Sequence, residues 1–413
     1  MSDSLDSSAP RPDDLPPMVI PVRRGPRPEL ERRPPPPPPP SGGAGKFLLA
    51  LLLLGSIALN FLLCFGIFAI GGVSLGGAGG DESAYIREKH WSGNKSAKDK
   101  VAIVNVEGVL VDELMGSTLA AIDKAAKDDN VKAVVVRINS PGGTITASDD
   151  IHKRLIELRD GSSPRFTSAK KPLVASMGAI AASGGYYVAM PAQHIYGEKT
   201  TITASIGVYS SMINIHKLAS EHGVKMETVK AGDVKNAGSM FHELSPQERQ
   251  MWQDMVDNAY GQFIKIVEDG RPQLKGKLTK DVERVDAAGN KLPDEIQLYD
   301  DKGNVVPGKT VPYHRKLADG GIFTAPVAKH YQLIDDIGYL EDAVKKAATL
   351  AGLSDYETVV YEKPVSIMSL LGASAKQSSS SEFLRIAQAA GPRVWYLSPN
   401  SEFAGMLALM EKP

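Results

Sequence analysis

The sequence predicts an α/β domain with a largely parallel sheet, on three observations. Short β-branched runs recur from Val101 onward: VAIVNVEGVL at 101–110, VKAVVVRIN at 131–139, KPLVASM at 171–177, HIYGE at 194–198 and SIGVYSS at 205–211. Helical patterns over 113–127 and 145–160 separate several of them, and strands that alternate with helices form parallel sheets through crossovers. Two of the runs break into glycine-rich turns, Asn139-Ser140-Pro141-Gly142-Gly143 and Ala181-Ala182-Ser183-Gly184-Gly185.

The elements follow in chain order. Residues 1–46 are rich in Pro, Arg, Ser and Asp, with Pro34 to Pro40 unbroken. Such a segment cannot bury a core and is expected to be disordered or polyproline-like, a cytoplasmic spacer. Residues 47–73 hold no charged side chain, and about 20 apolar residues suffice to cross a bilayer as a helix. A cleaved signal peptide has a shorter apolar region behind a short basic start, so an uncleaved anchor is expected. Arg27, Arg32, Arg33 and Lys46 precede the run and only Arg87 and Lys89 closely follow it. The positive-inside rule then puts the N-terminus in the cytoplasm and the remainder outside a cell membrane crossed once. Gly-rich and polar residues 74–100 are expected to form a flexible stalk.

Beyond the strand–helix region, Ser245 to Asp269 predicts a long amphipathic helix, with Ser245 as N-cap and Glu248 in the capping-box position. Residues 284–314 interrupt the pattern: turn signals at Ala288-Gly289-Asn290 and Asp301-Lys302-Gly303-Asn304 flank a short strand, which predicts an inserted surface hairpin. Asp336 to Leu350 predicts another helix, stopped at Gly352. Residues 365–413, with Ser378 to Ser381 and apolar patches near Trp395 and Met406, are expected to form a C-terminal arm.

The chemistry is expected at the glycine turns. Two strand ends of this kind can aim backbone N–H groups at one carbonyl oxygen, while Ser183 opens a helix, the arrangement by which a serine hydrolase holds its nucleophile beside an oxyanion hole. None of the eight histidines sits in a recognisable catalytic setting, so lysine is the next candidate base. Lys235 lies in the glycine-punctuated loop VKAGDVKNAGSMF. A net charge of −1 gives no reason to expect nucleic acid as a partner. With the single cysteine Cys64 and no HExxH spacing, no metal or cofactor is expected.

The succession SPGG, KPLVASM, AASGGYYVA, TASIGV, KAGDVKNAGS and FTAPVAKHYQLIDDIG resembles the signal peptide peptidase A family, membrane-anchored serine proteases with a Ser–Lys dyad. The resemblance covers roughly Val101 to Tyr361, leaving out the insertion, and marks 101–364 as the protease domain. It implies a ClpP/crotonase-like fold, Ser183 as nucleophile, Lys235 as general base and Ser205 as the serine that hydrogen-bonds the lysine. Gly142 and Gly184 would supply the oxyanion-hole N–H groups. Ala204 and the Gly320-Gly321 pair depart from the family pattern, which has Gly at the first and Gly-Arg at the second. One SPGG…ASGG unit per chain implies a homo-oligomeric ring, with the dyad formed either within one subunit or between Ser183 of one subunit and Lys235 of the next. The implied substrates are extended hydrophobic peptides such as remnant signal peptides, presented near the bilayer.

A lysine base must be neutral, and moving its reference pKa of about 10.4 to about 7 takes roughly 4 kcal/mol, an amount burial can supply. Two other readings remain at this point: a crotonase-type acyl-CoA enzyme, which would turn over acyl-CoA without Ser183, and an inactive membrane scaffold, which would not react with a serine-directed probe.

Overall fold

The structure, a computed structural model, describes residues 86–300, 302–362 and 393–397 together with Ser56. The chain divides into two compact units, residues 1–78 and 79–413, and all described residues except Ser56 lie in the second. The expected tail over 1–46, the rest of the span over 47–73 and most of the C-terminal arm lie outside the described residues. Among those described, no helix is long and apolar enough to cross a membrane.

An edge strand β1 (Arg87–Gly93) precedes the central strands β2 (Lys100–Leu110), β3 (Val131–Thr144), β4 (Leu173–Ala182) and β5 (His194–Gly197). The short strands β6 (Ile202–Ala204) and β7 (Tyr209–Ser211) follow. β8 (Glu295–Tyr299) and β9 (Val305–Pro312) form a separate antiparallel pair. β10 (Ile322–Thr324), β11 (Asp336–Ile337), β12 (Glu357–Glu362) and β13 (Arg393–Leu397) complete the set. The main sheet runs β1-β12-β2-β3-β4-β5-β11. Every pairing along it is parallel except that of β1 with β12. The expected α/β class with a largely parallel sheet is what the chain adopts.

The helices are α1 (Gly116–Lys127), α2 (Ile145–Asp160), α3 (Gly184–Ala189), α4 (His216–Glu221), α5 (Pro246–Gly270), α6 (Ala325–His330) and α7 (Leu340–Leu350). Side-chain alternation explains why the central runs are apolar at every position. Ala102, Val104 and Val106 of β2, with Val134, Val136 and Ile138 of β3, share a core with Ile122 of α1 and Ile151 and Leu155 of α2. Their neighbours Val101, Ile103, Ala133 and Val135 face Ala343, Val344 and Ala347 of α7. A strand covered on both faces cannot alternate with polar residues, and each large apolar side chain so buried contributes about 1.5–3 kcal/mol.

The helix ends obey local chemistry. The Thr144 hydroxyl accepts the Ala147 N–H at 3.2 Å to start α2, and Gly161, at φ 61°, stops it. The capping box expected at Ser245 and Glu248 is present at the start of α5. The hairpin expected within 284–314 is β8–β9.

Four expectations are corrected. The SPGG run is not a turn: β3 continues through Gly143, because its backbone pairs with Val109 and Leu110 of β2. Of the strand expected over 205–211 only β7 forms, since Ala204 at φ 67° and Ser205 at φ 56° leave the extended region after β6. The helix expected from Asp336 begins at Leu340, because Asp336 and Ile337 extend the sheet beside β5. Within the stretch expected as a stalk, Arg87–Gly93 is instead β1, paired with β12.

Candidate active site

Ser183 stands at the corner between β4 and α3. Its backbone has φ 54° and ψ −116°, a conformation non-glycine residues rarely adopt and one that costs on the order of 1–3 kcal/mol. The surrounding hydrogen bonds hold it there. The Ser183 N–H donates to Ala204 O at 2.6 Å, and the Ser183 carbonyl accepts the Tyr187 N–H at 2.9 Å. The side chain is 0% exposed, and its hydroxyl has no hydrogen-bond partner among the described residues. An orphaned buried hydroxyl costs about 1–3 kcal/mol. Strain and a hydroxyl unpaired among the described residues therefore coincide on one residue.

Two glycines let the strand ends approach this corner. A Cβ on Gly185 would lie 2.6 Å from Ser140 O, and one on Gly143 would lie 2.6 Å from the Leu110 Cα. Both contacts are closer than real side chains tolerate, so any larger residue would push β3 away from α3 or β2. Gly142 adopts φ 104°, and its N–H donates to the Ser140 hydroxyl at 3.1 Å. Gly184 is the first residue of α3, where N–H groups have no intrahelical acceptor. Its N–H and that of Gly142 belong to the two chain segments that Gly185 and Ser140 bring together.

The end of β3 is itself paired with a further strand. β13 lies between the end of β3 and β7, antiparallel to both, with Leu397 opposite Gly142, Tyr396 opposite Gly143 and Trp395 opposite both Thr144 and Tyr209. Its backbone makes the pairing that an extended peptide makes when it adds to a sheet edge. Nothing in the sequence pointed to this placement of the C-terminal arm.

Ser205 is buried and at φ 56°. Its N–H donates to Gly321 O at 3.1 Å and its hydroxyl to Gly320 O at 2.8 Å. A hollow of about 670 Å³ opens beside it, lined in part by Gly207, Tyr260, Asp319 and Gly320. The structure thus brings Ser183, Ser205, Gly142 and Gly184 into one neighbourhood through the bond from Ser183 to Ala204 and the β3–α3 contact. It does not bring Lys235 of the same chain to Ser183. Lys235 is exposed, its N–H donates to Gly232 O at 3.2 Å, and its amine has no partner among the described residues.

Three of the histidines show engagements away from Ser183 Oγ. Burial pushes the His152 imidazole down to about 4, and its ring meets the Tyr187 ring edge-on at 5.0 Å. His242 bonds Glu248 at 2.9 Å, and His194 faces Asp336 at 3.3 Å. The Asp335 of the LIDDIG run is structural. Burial raises its carboxyl, but the Arg271 fork, two bonds of 2.8 Å, holds it below the usual carboxylate range. Sequence reasoning missed one further pair, Arg315 and Asp319, beside the Gly320-Gly321 departure. Arg315 Nε and Nη2 reach the two Asp319 carboxylate oxygens at 2.7 and 2.9 Å.

Comparison with known proteins matches residues 165–307 to peptidase family S49, a range that contains Ser183, Ser205 and Lys235. "Putative protease slr0021" of Synechocystis sp. is 32% identical over 302 residues, 72% of this chain and 92% of that one. "Protease 4" of Salmonella typhi is 30% identical over 278 residues, but the match spans only 38% of its length. "Putative signal peptide peptidase SppA" of Enterococcus faecium is 30% identical over 244 residues, 58% of its length. Among solved structures, a ClpP1 mutant from Listeria monocytogenes matches with a TM-score of 0.31 at 11% identity, over 59% of this chain and 94% of that one.

Proposed function

The chain belongs to peptidase family S49 and is a serine protease of the signal peptide peptidase A type; from that premise we propose that Ser183 is its nucleophile and that Lys235 of an adjacent copy is its general base. One observation carries this reading: a buried hydroxyl, unpartnered among the described residues, on a strained corner beside the end of β3, where β13 is already paired. The lysine in the same chain is exposed, so the hydroxyl lacks a base until another copy supplies one. The hollow beside Ser205 is the route by which that amine arrives. This supports a homo-oligomeric ring in which each contact completes one site.

In the reaction, a peptide adds antiparallel to the end of β3 in place of β13. Ser183 Oγ attacks the scissile carbonyl as its proton passes to the neutral amine. The N–H groups of Gly142 and Gly184 take the developing oxyanion. Preorganised donors of this kind are worth about 2.7–4 kcal/mol each. For Gly142 this requires its N–H to leave the 3.1 Å bond to Ser140. The protonated lysine then gives its proton to the leaving amine, and water repeats the sequence on the acyl-enzyme.

Substrates are extended hydrophobic peptides, remnant signal peptides among them, and the apolar run 47–73 holds the protease at the outer face of the cell membrane with its N-terminus in the cytoplasm. The experiment is labelling of the full chain with a fluorophosphonate. Labelling at Ser183 that is lost in both Ser183→Ala and Lys235→Ala is expected. Labelling that persists in Lys235→Ala at the wild-type rate would remove the lysine from the mechanism.

A further inference from the structure

Ser205 takes its position from one turn. Its N–H and its hydroxyl donate to the consecutive carbonyls of Gly321 and Gly320, at 3.1 and 2.8 Å. A pair of glycines cannot hold a fixed geometry unaided, since glycine has the widest conformational choice of any residue. Other groups must therefore fix this turn.

Arg315 does so. Its guanidinium forks the Asp319 carboxylate through Nε and Nη2, and Asp319 Oδ1 in turn accepts the Gly321 N–H at 2.8 Å. Nη1 donates to Ile322 O at 3.3 Å. The guanidinium lies 4.4 Å from the centroid of the Phe323 ring, and Phe323 pairs with Thr203 of β6, the strand that leads into Ser205. The other end of the turn is tied down at Ala318, whose N–H donates to Leu278 O and whose carbonyl accepts the Tyr260 hydroxyl.

The space is as telling as the bonds. A Cβ built on Gly321 would run into Arg315 Nη2 and lie 2.9 Å from its Cζ. Arg315 therefore fills the volume that a side chain at 321 would need. It stands at the foot of the inserted hairpin, where the Val282 N–H donates to Arg315 O at 2.9 Å and Asp281 bridges to Lys316. The residue that follows the insertion thus feeds its side chain into the site's support.

We propose that Arg315 is a positioning residue for peptide cleavage, acting through the Asp319–Gly321 turn to fix the direction of the Ser205 hydroxyl proton. The inference rests on the reading of Ser205 as the residue that orients the lysine base. A hydroxyl has one proton to donate and two lone pairs that accept. With its proton committed to Gly320 O, Ser205 only accepts from the lysine amine, which leaves the amine lone pair for the Ser183 proton. A slackened turn lets Ser205 rotate and donate to that lone pair, which blocks the base.

The test uses the full chain, a fluorogenic hydrophobic peptide, and the variants Arg315→Ala, Arg315→Lys, Gly321→Arg, Ser205→Ala and two doubles. Arg315→Ala is expected to lower kcat about 10–100-fold with KM changed less than about twofold, the pattern of a misplaced catalytic group. Arg315→Lys recovers little of this, because a point charge cannot fork a carboxylate. Gly321→Arg alone is also impaired, since its stem collides with Arg315. Combined with Arg315→Ala it regains about tenfold over either single change, a coupling expected of residues that share one space. Arg315→Ala in the Ser205→Ala background costs nothing further. Normal kcat in Arg315→Ala, losses additive with Ser205→Ala, or no recovery in the Arg315→Ala/Gly321→Arg double would each overturn the proposal. If Ser205→Ala itself keeps wild-type kcat, the reading of Ser205 fails first and takes this inference with it.

Discussion

His152 gives the sharpest test of how the helix layer behind Ser183 is held. The imidazole is buried in α2, with its ring edge-on to Tyr187, whose own N–H bonds the Ser183 carbonyl. Burial is the main cause that lowers its pKa from 6.5 to about 4, with Arg159 acting in the same direction and Asp149 and Asp269 against it. The folded pKa lies below the unfolded one, so the unfolded chain binds more protons between those two values. Stability is therefore full above pH 6.5 and is lost as pH falls toward 4. At about 1.4 kcal/mol per pH unit, acidification from pH 7 to pH 4 costs about 3 kcal/mol through this residue alone. Guanidinium unfolding of the wild type and of His152→Phe, each at pH 7 and pH 4, isolates that term from the carboxylates, which both proteins share. The wild type is expected to lose about 3 kcal/mol more than the variant. Equal losses would refute the burial of a neutral imidazole here.

Two further outcomes follow from the site. Gly185→Ala places a methyl 2.6 Å from Ser140 O and is expected to cost about 1–3 kcal/mol of stability in thermal unfolding. By moving the β3 end relative to α3, it should also lower kcat about 10–100-fold; unchanged kinetics would detach Ser140–Gly143 from the oxyanion hole. A chain ended at Glu362 lacks β13 and its pairing with Gly142 to Thr144. Its KM for a hydrophobic peptide should fall roughly tenfold at constant kcat, because a tethered strand competes at about millimolar effective concentration. An unaltered KM would mean that β13 does not occupy the substrate path.

Much of the fold was legible because its rules are local or periodic. The central strands were visible as unbroken apolar runs, since Val101 and Ala102 point into different cores yet are both buried. The capping box of Ser245 and Glu248 was visible because it depends on neighbours in the sequence, and the Ser183 corner because α3 follows β4 directly. What escaped depends on partners far along the chain. Ser140 to Gly143 carry turn-forming residues, but pairing of Ser140 with β4 and of Gly142 and Gly143 with β2 and β13 keeps them within β3. The break at Ser205 is set by carbonyls more than a hundred residues later. Arg315 reaches the Gly321 space only through the geometry of the hairpin stem, which no spacing rule encodes. The departure at Gly320-Gly321 was visible, and its structural counterpart was not.

The central claim is that a serine in one copy is served by a lysine in another. Ser183→Ala and Lys235→Ala chains, each inactive alone, can be co-assembled in equal amounts and assayed on a hydrophobic peptide. The account predicts recovery to about a quarter of the wild-type rate, since a heterologous ring pairs each serine with one neighbour's lysine. Activity that stays at the level of the separate variants, with mixed assembly verified, would contradict it.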